Sequence, residues 1–148
     1  MPSSDRPRTA HLPRLTAGTV VLVADDNADC ANSLAWCLDG DGYRTLVAYD
    51  GIQAVEAALA DRPSVAILDL GMPRLDGYGA ARAIRAALGD RVLLIAHTAW
   101  GDDAARQSSN DAGFDHHVLK SEGLVTLLAL LSPSRNTNTN TNTNTSTQ

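Results

Sequence analysis

Val65-Ala66-Ile67-Leu68-Asp69-Leu70-Gly71-Met72-Pro73 is the stretch whose reading decides the fold. Its first four residues are apolar without alternation, and Val65 and Ile67 are β-branched. A run of that length and type reads as a short strand buried on both faces, as in a parallel sheet. A single carboxylate, Asp69, closes the run. Gly71-Met72-Pro73 behind it reads as a mobile loop that admits a reaction partner.

Working outward, the same alternation recurs. Short apolar runs stand at Val20–Ala24, Thr45–Ala48, Val92–Ala96 and Val118–Leu119. Stretches of helical period follow at about 28–40, 51–61, 78–88, 102–112 and 122–131. The second helix presents Ile52, Val55, Ala58 and Leu59 as its apolar face, and the third presents Ala81, Ile84, Ala87 and Leu88. Ile84, Leu88, Leu127, Leu128 and Leu131 read as core. Asp50 is placed to cap the second helix. Gly40, Gly42, Gly89 and Gly113 stand where helices should stop. Strand-then-helix units in series imply an α/β fold, a doubly wound parallel sheet with helices on both faces.

The bulk numbers set limits. The chain has 148 residues, 44% of them hydrophobic and 20% charged, enough for one globular domain with its own core. Its formal net charge of −5 argues against direct nucleic-acid binding, which needs a concentrated basic footprint. No apolar run approaches the roughly 18 residues that span a bilayer, so no membrane insertion is expected. Without a signal-peptide pattern at the N-terminus, the expected location is cytoplasmic. Residues 1–18 read as a flexible leader, 19–132 as the folded domain, and 133–148, mostly alternating Asn and Thr, as a disordered low-complexity tail. Cys30 and Cys37 lie seven apart on one helix, about 10 Å along its axis. That is too far for a disulfide, which needs Cα atoms within about 7 Å. Both read as buried apolar thiols on a core stripe with Leu34 and Leu38.

In a doubly wound sheet the ligand site lies outside the carboxyl ends of the strands. Polar residues collect there. The first strand ends in Asp25-Asp26, the third in Asp69, the fourth in Thr98 and the fifth in Lys120, the only lysine of the chain. Two carboxylates about 4 Å apart repel by roughly 4 kcal/mol at an effective dielectric near 20. Such crowding is relieved by a divalent cation or by raised pKa values. An all-oxygen donor set suits Mg2+ or Mn2+ rather than zinc. The set fits phosphoryl transfer to a nucleophilic carboxylate, with a metal and an ammonium neutralising the phosphoryl oxygens and a hydroxyl donating to one of them. Asp69 is the best nucleophile of the three carboxylates.

With these residues in hand, the chain resembles the receiver domain of two-component response regulators. The resemblance rests on Asp25-Asp26, on Asp69-Leu70-Gly71-Met72-Pro73 with Asp76-Gly77 after it, on Thr98-Ala99 and on Lys120, and runs from about Thr19 to Leu131. It implies a flavodoxin-like (βα)5 fold with strand order 2-1-3-4-5. It implies that Asp69 accepts phosphate from a histidine kinase or a histidine phosphotransfer protein. Asp26 and Asp69 would ligate the metal together with the Gly71 backbone carbonyl, and Asp25 would act mostly through a metal-bound water. Thr98 and Lys120 would bind the new phosphoryl group. The phosphorylated form would signal through a partner protein, because no output domain is read after the fifth helix.

Two positions depart from the family pattern. Ser121 follows Lys120 where proline is usual, often after a cis bond. A cis bond before serine costs about 2.5–4 kcal/mol, against about 0.5–1 before proline. His117 stands where many members have Tyr or Phe that swings with the threonine. The plain reading of His116 and His117 is a partly exposed edge of the last strand; the other is a switching role for His117. Gly71 and Trp100 flank the site at positions that vary in the family. Trp100 either shields the phosphoryl group from water or is an exposed loop aromatic. The rival functions are a phosphorylation-independent pseudo-receiver and a haloacid-dehalogenase-like phosphatase. The phosphatase needs a second Asp two residues after the nucleophile, where this chain has Gly71, so the expectation is a phosphoacceptor and not an enzyme.

Overall fold

The computed structural model describes residues 18–131. The leader expected at 1–18 falls outside this range except for Gly18, and the tail expected at 133–148 lies wholly outside it. Among the described residues five strands and five α-helices alternate: β1 (Val20–Ala24), α1 (Ala28–Gly40), β2 (Arg44–Ala48), α2 (Gly51–Asp61), β3 (Val65–Leu68), α3 (Gly77–Leu88), β4 (Leu93–Thr98), α4 (Asp103–Ala112), β5 (His116–Leu119) and α5 (Gly123–Leu131). All strand pairs are parallel, in the order β2-β1-β3-β4-β5. This is the doubly wound, flavodoxin-like arrangement expected from the sequence.

The sheet divides the core in two. On one face Leu22, Ala24, Leu68, Leu94 and Ala96 pack under α2 and α3 and the end of α4. On the other, Val21, Val23, Ile67, Ile95 and Val118 pack under α1 and α5. Alternate residues of one strand thus serve opposite layers, which is why the strands read as unbroken apolar runs. Ile67, Leu68, Ile84 and Leu94 are each at most 1% exposed, and burying such a side chain contributes about 1.5–3 kcal/mol.

Each helix start has a local cause. Asn27, Asp50, Asp76 and Asp102 are extended residues whose side chains accept the backbone N–H three positions on. They satisfy donors that the first helical turn leaves unpaired. Gly113 ends α4 in the left-handed region at φ 103°.

Three expected faces are corrected. The buried stripe of α1 is Ala31, Leu34, Ala35 and Leu38. Cys30 is exposed and Cys37 half-buried, and both are free thiols. Each cysteine stands one residue before a stripe position, and so about 100° round the helix from it. In α2 the buried residues are Gly51, Ala54 and Ala58, whereas Ile52 and Leu59 are 41% and 48% exposed. This small-residue stripe lets α2 approach α3 and its preceding loop closely. At Gly51 a Cβ would collide with the backbone carbonyl of Leu75, so only glycine fits. In α3, Ala80 takes the core position expected for Ala87, which is exposed. Leu128 is half-buried and packs against the α1–α5 cluster.

Candidate phosphoacceptor and metal site

Strand order reverses between β1 and β3, which pair with Ala24 opposite Leu68. The next residue of each strand, Asp25 and Asp69, therefore emerges side by side at the switch point. Their backbones continue the ladder, with Asp69 N–H donating to the Ala24 carbonyl at 2.9 Å and Asp25 N–H to the Ala48 carbonyl at 3.1 Å. Carboxylate oxygens of Asp25, Asp26 and Asp69 lie within 4.8 Å of one another. Asp25 is buried and Asp26 exposed, with Asp69 between them. Three hard oxygen donors at this spacing fit a divalent cation such as Mg2+ or Mn2+.

Lys120 follows β5 and opens a short 3-10 turn to Glu122. Its Nζ lies 2.7 Å from Asp25 Oδ2 and 3.5 Å from Asp69 Oδ2. No peptide bond among the described residues is cis, and Lys120 reaches both carboxylates with Ser121 behind it. The other oxygen of Asp25 accepts from the Asn27 N–H at 2.9 Å. The charges are unevenly satisfied. Burial, followed by the neighbouring Asp25 charge, raises the Asp69 pKa, against the pull of Lys120 and of the Gly71 N–H. For Lys120 burial works downward, but the hydrogen bond to Asp25 and the two carboxylate charges outweigh it and the pKa is raised. Of the two carboxylates that Lys120 reaches, Asp69 is the more distant one.

Thr98 ends β4 and is 1% exposed. Its Oγ1 accepts from the Trp100 N–H at 3.2 Å. Trp100 is also held by its carbonyl, 2.6 Å from His117 Nε2, while His117 Nδ1 lies 2.8 Å from Ser109 Oγ. A carbonyl only accepts, so Nε2 bears the proton and, with that tautomer, Nδ1 accepts a hydrogen bond from the Ser109 hydroxyl. His116 and His117 are, as expected, partly exposed residues of the edge strand β5, and His117 has these two polar partners besides. It ties the β4–α4 loop to α4. The Trp100 ring, 52% exposed, lies over Gly71, where an added Cβ would stand 2.8 Å from its tip. Residue 71 and residue 100 are thus in mutual contact beside Asp69, a relation that no spacing rule reveals.

The loop after Asp69 is fastened, not mobile as expected from its composition. Leu70 and Met72 are buried at 1% and 6% exposure, and the Gly77 N–H donates to the Leu70 carbonyl at 2.9 Å. At Gly77 a Cβ would strike the Asp69 carbonyl. Arg74 donates through Nε and Nη2 to Asp50 Oδ2 at 3.0 and 2.6 Å, while Asp50 Oδ1 caps α2. Sequence reasoning identified that cap but missed the ion pair, which joins residues 24 positions apart.

His97 lies on the opposite face of β4 from Thr98. Burial and the Lys120 charge lower its pKa, so it is neutral near pH 7. No helix among the described residues is long and apolar enough to cross a membrane.

Known proteins share this arrangement. The model of the response regulator receiver domain matches residues 21–132. Response regulator MprA of Mycobacterium ulcerans (strain Agy99) is 38% identical over 109 residues, covering 74% of this chain and 47% of that protein. MprA of Mycobacterium tuberculosis (strain ATCC 25618 / H37Rv) is 37% identical with the same coverage. The chain spans about half the length of the curated relatives it matches. Among solved structures, the receiver domain of the sensor histidine kinase PA1611 from Pseudomonas aeruginosa PAO1 superposes with a TM-score of 0.70 at 34% identity, covering 78% of this chain and 95% of that one. In that structure a magnesium ion is coordinated in the active site cleft. Chemotaxis protein CheY4 of Vibrio cholerae gives a TM-score of 0.72 at 26% identity, with 78% and 97% coverage. The chain belongs to the response regulator receiver domain family.

Proposed function

We propose that this receiver domain accepts a phosphoryl group on Asp69 from the phosphohistidine of a histidine kinase or histidine phosphotransfer protein, and signals through a downstream protein partner. The observation that carries the reading is the Lys120 ammonium set against Asp25 and Asp69 at the switch point of the sheet. That is where negative charge accumulates when a phosphoryl group arrives.

In the reaction an Asp69 carboxylate oxygen attacks phosphorus and the bond from phosphorus to the donor histidine nitrogen breaks; the ring, already protonated on its other nitrogen, leaves with the electron pair as neutral imidazole. Asp26, Asp69 and the Gly71 carbonyl would hold Mg2+ or Mn2+, with Asp25 acting through water. The bound ion supplies positive charge to the phosphoryl oxygens. Lys120 pairs with one of those oxygens. The Thr98 hydroxyl accepts from Trp100 and has its own proton to donate to another. A phosphoryl group brings about −1.5 to −2 charge and three acceptors, enough to bias a loop between two arrangements. Chemistry on the chain is limited to phosphorylation and hydrolysis at Asp69, so the domain is a phosphoacceptor rather than an enzyme acting on an external substrate. The setting is the cytoplasm, with no membrane insertion and no direct nucleic-acid contact.

Incubation with acetyl phosphate and Mg2+, followed by intact-mass measurement, tests the reading. One adduct of about 80 Da is expected in the native chain and in neither the Asp69→Asn variant nor a chelated sample. An adduct of equal yield in Asp69→Asn sinks the proposal.

A further inference from the structure

The loop from Asp69 to Gly77 contains one strained residue. Arg74 has φ 70°, and the Leu75 N–H donates to the Pro73 carbonyl at 2.7 Å across it. A two-residue closure with positive φ is the rare, strained form of γ-turn. Arginine has no intrinsic reason to adopt it, and such a residue persists only where its surroundings impose it. The surroundings here are specific. Two N–H groups of the Arg74 guanidinium bind one oxygen of Asp50, and Asp50 is itself locked as the cap of α2 by its other oxygen. The chain under the turn has little slack. Leu70 and Met72 are anchored in the core on either side of exposed Gly71. Leu75 fills the space that Cβ atoms on Gly51 and Gly79 would need.

We infer that Arg74 and Asp50 are positioning residues. Their ion pair holds the β3–α3 loop in its strained turn and thereby sets the Gly71 peptide at the metal and phosphoryl site. This rests on the metal-dependent phosphoacceptor reading above. The Gly71 peptide has two duties at that site: its N–H supports the Asp69 carboxylate, and its carbonyl is the expected backbone ligand. If the turn at Arg74 relaxes toward negative φ, Pro73 and Met72 must shift and the Gly71 peptide tilts with them. The Arg74 side chain is 62% exposed but that of Asp50 only 8%, so losing the guanidinium leaves a nearly buried carboxylate without its cation and lowers stability as well as freeing the loop. Recovery of metal affinity in a glycine variant, which restores the turn but not the ion pair, separates the two effects.

Titration of the full chain with Mn2+, followed by water-proton relaxation, reads the geometry directly, with thermal midpoints recorded alongside. Arg74→Ala keeps the strain and loses the clamp. Asp50→Asn keeps the α2 cap and loses the charge that holds Arg74. Each is expected to weaken Mn2+ binding about fivefold or more at temperatures where the midpoint shows the variant fully folded. Arg74→Gly adopts positive φ without cost and is expected to recover most of the affinity lost in Arg74→Ala. On the Arg74→Gly background, Asp50→Asn adds no further loss. Native affinity in both Arg74→Ala and Asp50→Asn overturns the inference, as does an equal loss in Arg74→Gly and Arg74→Ala. If the native chain binds no Mn2+, or Asp69→Asn binds it equally well, the metal-site reading itself falls and the clamp falls with it. Should Arg74→Ala not fold, Asp50→Asn against native and Arg74→Gly decides.

Discussion

The ammonium of Lys120 stands 2.7 Å from Asp25 and 3.5 Å from Asp69, so the one cation of the site is shared unequally between two carboxylates. Removing it in Lys120→Met leaves two partly buried like charges without their counter-ion. Thermal stability in metal-free buffer is expected to fall, by roughly 1–3 kcal/mol. Divalent-ion affinity is expected to rise, because a competing positive charge has gone, while phosphorylation by acetyl phosphate is lost. Calorimetric unfolding with and without Mg2+ checks the first two effects, and intact mass the third.

Asp69 gives a prediction in pH. Its folded-state pKa is raised by burial and by Asp25, so the native state holds this proton more tightly than the unfolded chain does. The ionised group then opposes folding fully above the folded pKa and not at all below the unfolded value. Without metal, Asp69→Asn should unfold several degrees higher than the native chain at pH 7. The gap should close as pH falls through the raised pKa toward the ordinary aspartate value of 3.8. Mg2+ should raise the midpoint of the native chain at pH 7 and leave the variant almost unmoved. Parallel unfolding curves from pH 7 to pH 3 provide the comparison.

At Gly71 a methyl group would meet the tip of the Trp100 ring at 2.8 Å. The ring is half exposed and able to move, so Gly71→Ala is expected to change stability by less than about 1 kcal/mol. It should displace the ring into water, with a red shift in tryptophan emission and faster hydrolysis of the Asp69 acyl phosphate. A Trp36→Phe background isolates the signal, since Trp36 is 78% exposed. Unchanged emission would show that the ring does not rest on residue 71 in solution.

Far from the site, the Arg85 guanidinium donates to the carbonyls of Gly89, Val92 and Gly113 and to Asp115. The side chains of the ion pair are 15% and 4% exposed. Arg85→Met is expected to cost about 3–5 kcal/mol, because it leaves a buried carboxylate and several carbonyls without their donor. Urea unfolding measures it, and phosphorylation at temperatures where the variant is folded should remain native.

How much of this was legible in the sequence depended on the range of the interaction. Val65–Leu68 and its sister runs identified the strands because burial on both faces demands apolar residues throughout. Asp50 announced the start of α2 because its partner, the Gln53 N–H, is three residues away. The polar residues at strand ends marked the switch point because polar positions elsewhere in those strands are few. What failed was orientation in the alanine-rich helices. Where Ala54 and Ala58 compete with Ile52 and Leu59 for the core, hydrophobicity favours the larger residues, but close approach of α2 to α3 favours the smaller. Cys30 was misplaced for the same reason. The pairs Arg74–Asp50 and Arg85–Asp115 and the contact of Trp100 with Gly71 exist only once loops distant in sequence are brought together.

The most direct test of the central claim traps the acyl phosphate chemically and locates it. After brief exposure to acetyl phosphate and Mg2+, the native chain is treated with hydroxylamine, which converts an acyl phosphate to a hydroxamate, and its peptides are mapped by mass. The account predicts one hydroxamate, on Asp69, absent without metal and absent in Asp69→Asn. A hydroxamate on Asp25 or Asp26 instead, or none under conditions where a known receiver domain is labelled, would contradict it.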